Sequence, residues 1–350
     1  MGKRKKFVFP MIAATIILAI AICLIVNHMG NRYENLSPED QKILAEYDSL
    51  YKSMTQKSLW DGFNLHEHPI VLISKDSVNA YMINADHVSN GIFAREIEMP
   101  KNFSLKSVYR LSILTPQLIP LRCAGNFNTI GKQYSIFEND VYFVKYSAKV
   151  SLEKEYSSEH FAAFLAHESL HYYMQNQWRL DSLPTSQLDS GGLELLQGEY
   201  QILSKIQIAR EQKTTHRESQ LDHAKALVSA IDKRLENNAE YVTEELIRET
   251  AEGTATYVGI KAAEIIGYDF GVMYFDNVKN VSFDDVLPQI ENGNLTKEFL
   301  YSRMPYETGA EICLLLDELG VPNWQEQLNN QTLKQPETLY SVLKRYIEAQ

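Results

Sequence analysis

Residues 161–171 read Phe-Ala-Ala-Phe-Leu-Ala-His-Glu-Ser-Leu-His. Phe161, Ala162, Ala163, Phe164, Leu165 and Ala166 make the turns before His167 apolar, so this segment is expected to be a buried helix. Histidine and glutamate are rarely buried without partners. At 3.6 residues per turn, His167 and His171 lie one above the other on the same helix face. Two imidazoles so placed can bind one Zn²⁺. Glu168, beside the first of them, can reach an ion-activated water and take its proton. His167 and His171 are therefore candidate metal ligands, and Glu168 is the candidate general base.

A hydrolytic zinc needs a third protein ligand and an open fourth position. The extended metzincin pattern would require glycine at 174 and histidine at 177; Met174 and Gln177 stand there, which excludes that class. An acid from a later helix is the other common solution. Glu249-Thr250-Ala251-Glu252-Gly253-Thr254-Ala255-Thr256-Tyr257 stands out, because glycine in a helix interior costs about 1 kcal/mol against alanine. Gly253 makes sense where another helix or a metal site must come close.

At these residues the chain resembles a known family. Glu252–Tyr257 is similar to the E-G-x-A-x-Y segment that follows H-E-x-x-H in the aminopeptidase branch of the gluzincin zinc metallopeptidases. Downstream, Tyr301-Ser302-Arg303-Met304-Pro305-Tyr306-Glu307-Thr308-Gly309-Ala310 resembles the P-Y-E-K-G segment of that family. The resemblance implies zinc held by His167, His171 and Glu252, with Glu168 as base and Tyr306 as hydrogen-bond donor to the tetrahedral intermediate. It implies a zinc-dependent peptidase acting on protein or peptide substrates. The resemblance covers residues 157–350 in kind and three short motifs in detail.

The departures matter as much. Eighty residues separate His171 from Glu252, far more than the family's short connection. They include two amphipathic segments, 193–212 and 219–237, which predict an inserted helical hairpin over 193–237 and a possible docking site for a protein partner. Glu249, one turn before Glu252, is the alternative third ligand. The amine-capturing G-A-M-E-N strand motif has no counterpart; Phe137-Glu138-Asn139-Asp140 is a poor echo. That points to cleavage within chains.

Outward from the motif, the chain reads as α+β. Ser37-Pro38-Glu39-Asp40 opens a helix to about Met54. Short β-branched and aromatic runs at 69–73, 108–114 and 141–144 predict a small mixed sheet. Ser157 or Ser158 is expected to cap the motif helix, and further helices are expected at 243–266, 306–319 and 337–347. The resulting division is a tail (1–6), a membrane anchor (7–26), a juxtamembrane helix (27–58), a β-containing subdomain (59–156) and a helical gluzincin-like peptidase domain (157–350).

The anchor rests on Lys3-Arg4-Lys5-Lys6 followed by an uncharged run from Phe7 to Val26, about 20 residues or roughly 30 Å of helix. With the basic flank inside, the expectation is a single-pass membrane protein with an extracytoplasmic C-terminal domain. A net charge of −11, with no basic block after residue 6, argues against a nucleic-acid partner. Cys123 and Cys313 could form a bridge or remain free thiols. His66-Glu67-His68 reads as a loop before a strand, with a second metal as the lesser alternative. The rival to an enzyme is a catalytically silent scaffold with a structural or vestigial zinc site.

Overall fold

The computed structural model describes residues 3–28, 31–105, 107–180, 187–213 and 216–350. The chain is mixed α+β, with 55% helix and 10% strand, so helices carry most of the packing. It divides into two compact units: residues 1–57 with 64–153, and residues 58–63 with 154–350.

The first unit contains α1 (Lys3–His28), α2 (Pro38–Met54), α3 (Leu118–Cys123), α4 (Ala148–Ser151) and six strands. The strands are β1 (Ile70–Ser74), β2 (Ala80–Ile83), β3 (Ala94–Glu96), β4 (Val108–Leu111), β5 (Tyr134–Ile136) and β6 (Asn139–Tyr146), in the order β3-β4-β2-β1-β6-β5. β1 pairs antiparallel with β2 and parallel with β6. Buried on both faces, it reads Ile-Val-Leu-Ile-Ser without alternation, as a covered strand must. Helix α2 starts where the residues require: Ser37 Oγ accepts from the Asp40 amide and Pro38 occupies the first turn. Asp40 is buried and satisfied, accepting from Asn79 Nδ2, Tyr81 Oη and Tyr146 Oη at 2.6, 2.9 and 2.5 Å.

The expected membrane anchor over residues 7–26 is corrected, and with it the single-pass location with an extracytoplasmic C-terminal domain. Among the described residues, no helix is long and apolar enough to cross a membrane. The chain is helical over Lys3–His28, with Pro10 inside the helix, where it removes one backbone hydrogen bond.

The second unit holds α5 (Phe161–Met174), α6 (Ser190–Glu211), α7 (Arg217–Asn237), α8 (Ala239–Ile266), α9 (Val286–Glu291), α10 (Glu298–Ser302), α11 (Met304–Leu319), α12 (Trp324–Asn329) and α13 (Leu339–Glu348). Residues 181–186 and residues 214–215 of the hairpin turn lie outside the described residues. The hairpin helices α6 and α7 pack on each other and are tied to their neighbours by charge. Arg234 of α7 sits buried between Glu199 of α6 and Glu245 of α8, while Arg210 of α6 reaches Glu311 of α11.

Helix α8 lies against both α5 and α11, and glycines set those distances. A methyl group on Gly259 would lie 3.0 Å from the Ala163 carbonyl oxygen of α5; one on Gly253 would lie 2.4 Å from Gly309 Cα of α11. Only hydrogen at these positions allows so close an approach. The short segment 58–63 belongs to this unit because Trp60 is buried edge-on against Trp178, Trp324 and Tyr257. Trp60 Nε1 also donates to Asn329 Oδ1 at 2.8 Å. A boundary at 156/157 read along the chain overlooks this insertion, since one tryptophan in a polar stretch shows no partner until the fold supplies three.

Candidate metal centre

The motif helix begins at Phe161, with His160 at the N-cap position. Ser157 does not cap the helix; its Oγ accepts from the Glu159 amide in the preceding turn. Helix α5 presents His167 and His171 toward α8, and the Gly259–Ala163 approach draws the helices together at that level. Glu252 of α8 meets them: its Oε2 lies 3.6 Å from His167 Nε2 and 3.3 Å from His171 Nε2. The two Nε2 atoms are 3.2 Å apart. Among the described residues, these three form the one group whose ligand atoms could share a metal ion. Their side chains are 16, 17 and 20% exposed, so the centre is lined by protein yet open on one side.

The tautomer of His171 follows from its neighbours. Gln175 Nε2 donates to the Ala251 carbonyl at 3.0 Å and to Thr254 Oγ1 at 2.9 Å. Thr254 Oγ1 can accept because its proton is directed to the Thr250 carbonyl, 2.8 Å away. Gln175 therefore turns Oε1 toward His171, and Nδ1–H of the imidazole donates to it at 2.6 Å. With Nδ1 directed to Gln175, Nε2 is the nitrogen turned to Glu252 and His167; it can offer a lone pair to a metal ion or carry the proton it would otherwise share with Glu252. A lone pair held this way beside a carboxylate fits a cation, and a hydrogen-bonded outer imidazole nitrogen is the usual support of a metal-binding histidine.

The electrostatics agree. Burial by itself would raise the Glu252 carboxyl, but hydrogen bonds and charge from His167 and His171 hold it well below the carboxylate range. For His171, burial lowers the pKa, but the Glu252 hydrogen bond and charge outweigh it and the net shift is upward. The two shifts describe one shared positive charge, which a metal ion would replace. Glu168 is raised by burial, a trend that His167 and His171 oppose and Glu252 reinforces.

Glu249 faces elsewhere. It is buried against α11, where Thr308 Oγ1 donates to its Oε2 at 2.6 Å, and burial pushes its pKa up to about 8. One turn of α8 thus separates an ionised acid turned to two histidines from an acid turned to a helix contact.

Tyr306, in the first turn of α11, stacks parallel to His167 at 5.8 Å between ring centroids. The Gly253–Gly309 contact, three residues further along α11, sets that distance. Burial raises the phenol well above its ordinary pKa, with the Glu252 charge adding to it, so the hydroxyl stays a donor. His167, Glu168, Tyr306 and Arg303 line one cleft of about 100 Å³ with Phe164 and Phe270.

Among the described residues, no other histidine or cysteine joins this group. His66 and Glu67 sit in a 3-10 turn before β1 in the first unit. His160 stacks on Tyr268 at 3.6 Å, and Tyr172 and Tyr173 meet edge to face. Cys123 is exposed and Cys313 buried, both as free thiols. Gln175 and Arg303 were not singled out from the sequence. For Gln175 a signal existed: the four-residue step linking 167 to 171 continues to 175.

Compared with protein-family models, curated proteins and solved structures, the chain matches none. The site therefore has to speak through its own geometry.

Proposed function

We propose that the chain is a zinc-dependent peptidase that hydrolyses peptide bonds within chains, with His167, His171 and Glu252 holding the ion. The observation that carries this reading is the convergence of both Nε2 atoms on the Glu252 carboxylate, beside a half-buried Glu168 and a neutral phenol on the same cleft. A bound zinc would supply Lewis-acid polarisation of the carbonyl and a more acidic water. Glu168 takes a proton from the attacking water and delivers it to the leaving amine; burial, by raising its pKa, suits it to both tasks. Tyr306 donates to the oxygen on which negative charge develops. His171 is held in its tautomer by Gln175, so no reorganisation is needed when the substrate arrives. A base and an oxyanion donor aimed at the same opening are superfluous for a purely structural metal, which favours the enzyme over the silent scaffold.

The test is Glu168→Gln in the purified, zinc-loaded chain, assayed on an unstructured protein substrate and on peptides blocked at the N-terminus. It should keep its zinc and lose hydrolysis. Undiminished hydrolysis by that variant would refute the assignment of the base. A strict demand for a free N-terminal amine would refute cleavage within chains.

A further inference from the structure

Arg303 is the one cation among the residues lining the cleft, where Ala163, Phe164 and Phe270 supply apolar wall. Its guanidinium carbon lies 5.4 Å from the Tyr306 ring centroid and 5.4 Å from that of Phe275, so two aromatic rings hold it. One nitrogen, Nη2, reaches Glu307 Oε1 at 2.7 Å. Glu307 is fully buried and also accepts from the Met273 amide, so its position is fixed from a second side. Among the described residues, Nε of Arg303 is buried without a hydrogen-bond partner.

Two other arginines of this unit show what a guanidinium does here when its donors are used. Arg234 bridges two carboxylates, Glu199 and Glu245. Arg210 engages Glu311 through two nitrogens, Nε and Nη2. Among the described residues, Arg303 forms one close ion pair, through Nη2 to a single Glu307 oxygen, with Asp276 near enough to feel its charge, and it does so at the cleft. A guanidinium carries five donors in a rigid fork that matches a carboxylate, and the aromatic clamp removes much of the entropy cost of holding it still.

We propose that Arg303 is a specificity-determining residue that receives a substrate carboxylate, making the preferred substrates peptides with a carboxylate close to the scissile bond. The proposal rests on the peptidase reading above. The Arg303 guanidinium lies 5.4 Å from the Tyr306 ring centroid, and that ring lies 5.8 Å from the His167 ring. An extended peptide advances about 3.3–3.6 Å per residue, so the carboxylate belongs one to three residues from the bond that is cut. An aspartate or glutamate side chain and the C-terminal carboxylate both supply this chemistry.

The test separates recognition from turnover by measuring binding. The zinc-loaded Glu168→Gln chain is titrated calorimetrically with matched peptides: a free C-terminal acid and its amide, and an internal Asp and its Asn counterpart. A charge-assisted hydrogen bond predicts on the order of 10- to 100-fold weaker binding when the carboxylate is removed. The first pair reports the C-terminal source and the second the side-chain source. Adding Arg303→Lys, which keeps the charge beside Glu307 but removes the fork, should erase most of the discrimination and leave binding of the amide and Asn peptides within about twofold. Equal affinity for acid and amide and for Asp and Asn overturns the proposal, as does an Arg303→Lys chain that weakens all four peptides alike. Failed hydrolysis in the unmutated chain alongside retained discrimination would instead count against the peptidase reading alone.

Discussion

Gly253 and Gly309 meet backbone to backbone, and this contact joins the helix carrying Glu252 to the helix carrying Tyr306. A methyl group on Gly309 would lie 2.2 Å from the Glu249 carbonyl oxygen and 2.7 Å from Gly253 Cα. Alanine at either position gains about 1 kcal/mol of helix propensity, but the clash is with main chain and no side chain can rotate away. Overpacking of about 1–3 kcal/mol or more wins. Gly309→Ala should therefore lower stability in denaturant titration and shift Tyr306 from the centre, with activity falling beyond what the loss of folded protein explains. A variant as stable and active as the parent would mean that α8 and α11 are not this close.

Gln175 is predicted to matter for metal affinity and not for chemistry. Gln175→Ala removes the acceptor of His171 Nδ1–H and one side-chain donor to the Ala251 carbonyl. Loss of such support typically costs 10- to 100-fold in affinity. Competition against a chromophoric chelator should show that loss, while kcat at saturating zinc changes little. Unaltered affinity would show that the imidazole is oriented by packing alone.

Glu249 gives a pH signature. Its folded pKa is about 8 against an ordinary 4.5. Below pH 4.5 both folded and unfolded states hold the proton, and the group costs nothing. Between about 4.5 and 8 the unfolded chain ionises while the buried acid does not, so stability falls as pH rises; above 8 the loss is complete, on the order of 3–5 kcal/mol from this group. Glu249→Gln removes the ionisation and keeps an acceptor for Thr308. Its stability relative to the parent should thus improve from pH 4.5 to pH 8. An offset equal at both pH values would contradict the buried, protonated state.

Tyr306→Phe removes one hydroxyl and keeps the ring that stacks on His167. Zinc content and melting temperature should hold while kcat falls roughly 10²- to 10³-fold, with KM changing little. Near-parental kcat would leave Tyr306 as a packing residue.

Much of this was legible in the sequence where one helix carries the signal. The His167/His171 ladder needs no tertiary information, and neither does the Ser37–Pro38 helix start, which the structure places where the cap requires. Glycine 253 announced a close approach, and the approach is a helix. Pairings across the chain were not legible. Strands β2, β3 and β5 are too short to stand out, being four, three and three residues long. Trp60 reveals its place only beside Trp178 and Trp324, and Arg303 reads as an ordinary surface cation until Phe275 and Tyr306 close around it. The last helix starts at Leu339 from a Thr338–Ser341 capping box, two residues after the start expected at 337. The apolar N-terminal run shows the opposite hazard, since composition alone suggested a span that the described residues do not supply.

The most direct test of the account is the zinc content of the purified chain, measured by atomic spectroscopy on the parent and four single variants. The parent and Glu249→Ala should hold about one zinc per folded chain, whereas His167→Ala, His171→Ala and Glu252→Ala should each lose most of it. A parent chain that stays empty at excess zinc, or a site emptied by Glu249→Ala and still filled in Glu252→Ala, would contradict the assignment of His167, His171 and Glu252 as the metal centre.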